Sequence, residues 1–374
     1  MLEADAEVDR RDFTVRAALT VAPGERLALF GPSGAGKTTI LEMIAGLVRP
    51  RRALILLRGR VLTSTDKPVT IIPPWRRRVG LLRQDPGLFP HLSVRANLLY
   101  GRSGSDAEAT AELRELAGVL GIDELLGSMP ARLSGGQAHR VALGRLLLSH
   151  CDALLLDEPY TGLDASLRRT LTDLVVSLVG ERGVPSILVA HELAEAQAFA
   201  DRLAVIDRGE VLQDGEPGEV VLAPATRRVA ELVGYTSFVP LGGQPGTPDG
   251  QVAAIHPDRV EAGRHPDRGL VLTGVVSSCR PAGALWEVTI STGTATVTGR
   301  LSEPVATRQE FVLTAVHPPV FGTGGELVAD TPRPVGRGAR RAGWSGAGST
   351  GTGRTGTGWT GTGRSEAGWS EAGW

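Results

Sequence analysis

The stretch ERLALFGPSGAGKTTILEMIAGL, Glu25 to Leu47, decides the fold. Its first six residues form a short, largely apolar run that suits a strand, and KTTILEMIAGL then sets Ile40, Leu41, Ile44 and Leu47 at helical spacing. Between them GPSGAGKT matches glycine, four residues, glycine, lysine, and serine or threonine. Such glycines let backbone N–H groups turn inward around phosphate oxygens, while Lys37 reaches the outer phosphates and the Thr38 hydroxyl can ligate Mg2+. The helix that starts here also points its positive end at the anion. Gly31, Pro32, Ser33, Gly34, Ala35, Gly36, Lys37, Thr38 and Thr39 are thus the predicted phosphate cradle. A glycine turn that merely caps a helix is the bland reading, and a strand before with a helix after argues against it.

Working outward, ALLL at Ala153 to Leu156 is a continuously apolar run that ends in Asp157 and Glu158. That pattern fits a parallel strand buried on both faces, and SILVA at Ser186 to Ala190 repeats it ahead of His191. Between the two, Leu167, Leu171, Leu174 and Leu178 recur at helical spacing, so strands and helices alternate and a doubly wound α/β sheet is expected. Asp157 at a strand end suits a Mg2+ ligand and Glu158 a group that polarises water, although an acidic pair alone is as often a solvated turn. A lone histidine in the place of His191 is more often structural than catalytic.

The segment from about Pro90 to Leu148 reads as an inserted helical subdomain carrying LSGGQAHR, Leu133 to Arg140. There Ser134, Gly135, Gly136 and Gln137 open a helix with a hydroxyl, amide donors and a positive dipole end, a second place suited to phosphate. After Gly234 the character changes to short β-rich runs, LVLTGVVSS, LWEVTIS and TATVTG, and a small β-barrel or sandwich is expected at 235–322. The remainder, 323–374, is rich in Gly, Thr and Ser and holds Trp344, Trp359, Trp369 and Trp374; without apolar periodicity it is expected to be disordered.

With 374 residues the chain has room for about two cores. Its 40 basic and 41 acidic residues nearly cancel, so no global field recruits nucleic acid or an acidic lipid surface. Cys151 and Cys279, the only cysteines, suggest neither a disulfide framework nor a zinc site. MLEADAEVDRRDF lacks the basic head and apolar core of a secretory signal, and no apolar run approaches the roughly 20 residues of a membrane span. The run WRRR, Trp75 to Arg78, reads first as a solvated face and second as a contact for a membrane subunit.

The phosphate loop, Gln84 after an apolar strand, LSGGQ, ALLLDEP, TGLD and a histidine beyond the next strand, in this order over residues 1–234, resemble the ATPase subunit of an ATP-binding cassette (ABC) transporter. The resemblance implies a P-loop NTPase fold, a RecA-like core with an inserted helical subdomain at about 90–148. It also implies a homodimer in which each ATP lies between the phosphate loop of one chain and the LSGGQ of the other. By the same resemblance Lys37 and Thr38 bind phosphate and metal, Gln84 senses the γ-phosphate and Mg2+, and Asp157 supports the metal. Glu158 is then the general base, His191 contacts the γ-phosphate, and Asp164 links the two sites across the dimer. The family stacks an aromatic residue on adenine; here VDRRDF offers only Phe13, with Arg10 or Arg11 as substitutes. Ala138 and His139 also stand where a more polar or basic pair is common.

QDPGLFPHLSVRANLLYG and RVLTSTD resemble bacterial importers of the molybdate type, whose neighbours carry sulfate and ferric iron. That similarity implies permease subunits in the membrane, a solute-binding protein acting indirectly, a place on the cytoplasmic face and a C-terminal domain similar to the β-barrel called TOBE. Arg264 and His265 are candidates for holding a regulatory oxyanion there, against the reading of a solvated polar loop. Sulfate, ferric iron, sugar or polyamine import is the alternative, followed by a soluble ABC protein acting on DNA or the ribosome; no nucleic-acid partner is expected.

Overall fold

The computed structural model describes residues 1–101, 106–242 and 250–329. The chain begins with the strands β1 (Leu2–Asp9), β2 (Thr14–Val21) and β3 (Arg26–Phe30), then the helix α1 (Lys37–Ala45). The strands β4 (Arg52–Leu57), β5 (Arg60–Ser64), β6 (Thr70–Ile71) and β7 (Val79–Leu82) follow. Three helices come next, α2 (Val94–Leu98), α3 (Asp106–Leu120) and α4 (Gly135–Leu148). The order continues with β8 (Ala153–Asp157), α5 (Ala165–Arg182), β9 (Ser186–Ala190), α6 (Leu193–Phe199), β10 (Arg202–Asp207) and β11 (Glu210–Gly215). Helices α7 (Pro217–Leu222) and α8 (Arg227–Leu232) close this half.

The central sheet has the order β11-β10-β3-β9-β8-β7, parallel except for the edge strand β11. Its middle strands are buried on both faces, and their alternating side chains serve two cores. Ala28, Leu154, Leu156, Leu188 and Val205 join the core shared with Val141, Leu143, Val175 and Phe199 on the helices. Leu27, Leu29, Leu155, Ile187 and Ile206 join the other, with Ile40, Leu41 and Ile44 of α1.

This second face departs from the doubly wound expectation. Apart from α1 it is covered by an antiparallel sheet of order β2-β1-β4-β5-β6, whose inner residues Leu2, Ala4, Ala6, Val15 and Ile55 complete that core. The alternation in LEADAEVD, inward at Leu2, Ala4, Ala6 and Val8, is the period-2 signature of such a strand. Two helical readings also shift. Leu47 is 48% exposed because α1 stops at Gly46, whose φ of 82° ends the helix. On α5 the buried line runs through Leu171, Val175 and Val179, leaving Leu167, Leu174 and Leu178 half-buried beside it.

The described residues form one compact unit. Its last part is all β: β12 (Ser237–Pro240), β13 (Val252–Ile255), β14 (Val260–Ala262), β15 (Gly269–Ala282), β16 (Leu285–Ser291) and β17 (Thr296–Leu301). The strands β18 (Glu310–Val316), β19 (Val320–Phe321) and β20 (Leu327–Ala329) complete it. They form two antiparallel sheets, β12-β13-β19-β20 and β14-β18-β15-β16-β17, around a third core that includes Leu272, Val288, Ile290 and Leu313. The β region runs past the expected limit of 322, since β20 pairs with β19; Ala254 and Phe321 also pack into the helical core. The tail expected to be disordered lies outside the described residues from 330 onward.

Candidate functional site

The strand order places four chain crossings at one edge. The loop after β3, the acidic pair at the end of β8, His191 after β9 and Gln84 after β7 all leave the carboxyl ends of neighbouring parallel strands, where open α/β sheets bind ligands. Residues far apart in sequence thereby line one cleft of about 450 Å³: Ser33, Gly34, Gly36, Lys37, Thr38, Thr39, Gln84, Glu158 and His191, with Arg10, Phe13 and Val15 at its side.

Close packing explains Gly31 and Gly36, whereas Gly34 has nothing within 4 Å of a Cβ and is called for by its φ of 80°. A Cβ on Gly31 would overlap the Ile206 carbonyl oxygen, and one on Gly36, at φ 103°, would lie 2.9 Å from a Val15 methyl. Lys37 is only 5% exposed; its Nζ donates to the carbonyls of Gly31 (2.7 Å) and Pro32 (2.9 Å). Burial lowers its pKa, while Glu158 and Asp157 act against that shift and favour the cation. The Thr38 hydroxyl donates to Asp157 Oδ1 at 3.1 Å. Burial pushes the Asp157 carboxyl up, the Thr38 hydrogen bond holds it down, and Glu158 and Glu42 push it further up. A hydroxyl and a buried carboxylate side by side are hard oxygen donors of the kind Mg2+ takes, and a cation there would add to the positive charge that Lys37 already sets against Asp157.

Glu158 sits in the left-handed region, φ 49°, uncommon for this residue type, with its N–H on the Val189 carbonyl at 3.2 Å. The sharp turn lifts its side chain out of the buried strand and into the cleft. There Gln84 Nε2 approaches Glu158 Oε2 at 3.5 Å, a long contact. His191 is exposed at the cleft. Phe13 lines the cleft and packs against the second core, while Arg10 donates to the Thr39 hydroxyl at 3.1 Å and pairs with Glu42 at 3.7 Å.

Ser134, Gly135, Gly136, Gln137 and Asp164 are not among the residues lining this cleft. Ser134 caps α4 in a reciprocal box: its Oγ accepts from Gln137 N at 3.3 Å and its own N–H donates to Gln137 Oε1 at 2.8 Å. A Cβ on Gly135 would meet nothing, so this helix start is open to an approaching group. Asp164 caps α5 by accepting from the N–H groups of Ser166 and Leu167, each at 3.0 Å. His139 is buried in α4, its Nε2 without a hydrogen-bond partner, and burial lowers its pKa.

Elsewhere the structure corrects one reading and refines another. WRRR is not one solvated face: Trp75 is 81% exposed, whereas Arg77 is 3% exposed and hydrogen-bonded to the end of α1. In the C-terminal part Arg264 is exposed, and the His265 ring is used within its own loop, 3.1 Å from the Ala262 carbonyl. Sequence reading also missed a groove of about 340 Å³ beside Asp85, in which the Phe89 and Tyr100 rings meet at a 42° tilt with centroids 4.1 Å apart and Arg145 lies 5.2 Å from the Phe89 ring. The QDPGLF segment carried that signal.

Comparison with known proteins bears on the family. The family model described as "ABC transporter" matches residues 15–161. An Fe(3+) ions import ATP-binding protein of Mesorhizobium japonicum is 39% identical over 250 residues, 66% of this chain and 69% of the relative. A molybdenum import ATP-binding protein of the same organism is 43% identical over 212 residues, 56% of each chain. The chain spans 62% of the length of a related iron-import protein of Pseudomonas fluorescens. A solved ATP-binding subunit of an ABC transporter superposes with a TM-score of 0.53 at 27% identity, over 63% of this chain and 95% of that one. The phosphate loop, the strand order beneath it and these relatives lead to one conclusion: the chain belongs to the ATP-binding proteins of the ABC transporter family.

Proposed function

We propose that this chain is a transport-coupled ATPase that powers solute import, working as a homodimer on the cytoplasmic face of a membrane through permease subunits. One observation carries the reading: Lys37, Thr38, Gln84, Glu158 and His191 converge on one cleft that Ser134 to Gln137 do not line. A phosphate-suited helix start left outside the pocket makes sense if it completes the pocket of a second copy.

In this reading Lys37 exchanges its two carbonyl partners for the outer phosphates of ATP. The cleft's Thr38 and Gln84, with Asp157, hold Mg2+, which when bound neutralises phosphate charge. Glu158 takes a proton from the attacking water, and Gln84, already beside it, orients the carboxylate. His191 contacts the γ-phosphate, and Asp164 of each chain meets the other copy. Because the ligand forms part of the interface, binding favours the closed dimer and hydrolysis releases it.

The aromatic groove beside Asp85 supports a permease contact, since a pair of aromatic rings with a flanking arginine suits an inserted cytoplasmic helix. For the solute we propose molybdate or a related oxyanion; ferric iron is the second reading, favoured by the iron-import relatives. The C-terminal sheets serve as a TOBE-like scaffold and dimer contact, a role supported by His265 being tied within its loop. The deciding experiment is ATP hydrolysis by the chain reconstituted with its permease, with solute-binding protein loaded with molybdate, sulfate or ferric iron. Stimulation by the molybdate form alone supports the full reading. Stimulation by the iron form replaces the solute, and hydrolysis indifferent to any permease removes the transport role.

A further inference from the structure

The turn that carries Trp75 has no part in the site described so far. Trp75 is 81% exposed, and close to it in sequence Val69 is 61% and Ile71 46% exposed. A strip of large apolar side chains in water asks for a reason, whereas a single one does not. The exposure is not that of a slack loop. Ile72 donates its N–H to the Leu62 carbonyl at 2.9 Å, and β6 pairs with β5 at Ile71 and Thr70. Pro73 and Pro74 fix the backbone leading into a single 3-10 turn, Pro74–Arg76, and Arg60 Nη1 donates to the Arg76 carbonyl at 3.4 Å. The buried Arg77 guanidinium holds the segment from within, at the Ile72 carbonyl (2.7 Å) and the Thr63 hydroxyl (2.8 Å). The fold presents these side chains at the edge of the antiparallel sheet, where β6 is the last strand.

The charge around the strip is one-sided. Residues 58–78 contain Arg58, Arg60, Lys67, Arg76, Arg77 and Arg78 but a single acidic residue, Asp66. Arg77 is buried and the other five basic residues are exposed. Arg58 and Arg78 share Asp152, at 3.0 Å each; among the described residues Lys67 and Arg76 pair with no carboxylate. In a chain whose 40 basic and 41 acidic residues cancel, this is a local excess of cations. Trp75 and Arg76 precede β7 and Gln84 follows it, so the patch and the cleft lie at opposite ends of that strand. A second copy closing the cleft would leave the patch free.

We propose that this edge is a lipid-binding surface: Trp75, Val69 and Ile71 enter the headgroup layer of an anionic bilayer while the surrounding cations lie over its phosphates. Two features favour lipid over nucleic acid or an acidic protein. The apolar strip needs an apolar phase, which a phosphodiester backbone lacks, and tryptophan is enriched at the level of lipid headgroups. The anchors also protrude from a sheet edge, a shape that enters a fluid layer without a matching pocket. Each basic residue near an acidic lipid surface adds about fivefold in affinity, so apolar insertion and charge reinforce each other. The inference extends the membrane placement proposed above, with the chain touching lipid itself besides its permease.

The test is flotation of the full chain with vesicles, without nucleotide or permease. Vesicles of phosphatidylcholine alone are compared with an equal mixture of phosphatidylcholine and phosphatidylglycerol. Wild type is expected to float with the mixed vesicles only, and less as NaCl is raised. Lys67→Gln combined with Arg76→Gln should weaken binding about 25-fold, and Trp75→Ser roughly tenfold. All three positions are exposed, and unchanged melting temperatures check that the variants fold. Brominated phosphatidylglycerol should quench Trp75, read as the difference between wild type and Trp75→Phe because five other tryptophans share the signal. Wild type that floats with neither vesicle overturns the proposal. Binding that survives both sets of substitutions also overturns it, since the lipid contact would then lie elsewhere in the chain. Loss of permease-stimulated hydrolysis in these variants without any vesicle binding would assign the patch to a protein partner instead. With no ATP present, failure here leaves the ATPase reading intact, and a chain that hydrolyses no ATP leaves the vesicle result standing.

Discussion

At the residue scale, the cleft depends on positions where the backbone does something only a few side chains allow. Glu158 holds φ 49°, and Gly31 stands where a Cβ would overlap the Ile206 carbonyl oxygen. Replacing Glu158 by Gln keeps the shape and the contact with Gln84 but removes the proton acceptor. The variant should bind ATP normally and hydrolyse it about 10²- to 10⁴-fold more slowly in single-turnover assays; a rate near wild type would remove Glu158 from the base role. Gly31→Ala acts through packing instead, because its Cβ meets a backbone oxygen that cannot step aside. A loss of more than about 3 kcal/mol in urea unfolding is expected, and unchanged stability would show that the strand end relaxes. The phosphate loop was legible in the sequence because its residues are contiguous and their chemistry is local. The groove of Phe89, Tyr100 and Arg145 was not, because its members stand on separate elements that only the fold brings together.

At the element scale, α1 shows how a helix end is satisfied from afar. Gly46 donates its N–H to the Glu42 and Met43 carbonyls, and Arg77 donates Nη1 to Met43 O (3.3 Å) and Ile44 O (2.8 Å). The same guanidinium reaches Ile72 O at 2.7 Å and Thr63 Oγ1 at 2.8 Å, joining the helix to the antiparallel sheet. Burial lowers its pKa, yet an arginine remains charged, and its fork makes four hydrogen bonds through all three of its nitrogens. Arg77→Met should destabilise by roughly 3 kcal/mol in a denaturant melt, because several carbonyls lose their donor. Arg77→Lys should recover only a minor part, since one ammonium cannot span these acceptors; full recovery would mean that charge alone matters. From sequence, WRRR looked like a surface run, and only the 34-residue separation from Met43 explains why one member goes inside. The sheet formed by β1, β2, β4, β5 and β6 was hidden differently: its alternation in LEADAEVD is clear, but pairing β1 with β4 across some fifty residues leaves no local sign.

At the scale of the whole molecule, the parallel strands bring four distant loops to one edge, and the α4 start remains outside the cleft they make. The order of the motifs was readable, whereas their meeting follows from the strand order β3-β9-β8-β7. If a second copy closes the site, a charge at Ser134 should matter only when ATP is present. Ser134→Arg adds bulk but also removes the oxygen that caps Gln137 N, so lost stability and lost closure would be confounded. Ser134→Asp separates them, because aspartate is as good a helix cap and its negative charge opposes a phosphate. In a Glu158→Gln background, ATP should convert the parent to a dimer in size exclusion with light scattering. Ser134→Asp should stay monomeric with an unchanged melting temperature without nucleotide. ATP-driven dimers of Ser134→Asp at the parent's concentration dependence would refute the shared site, and the cleft would then have to hydrolyse ATP within a single chain.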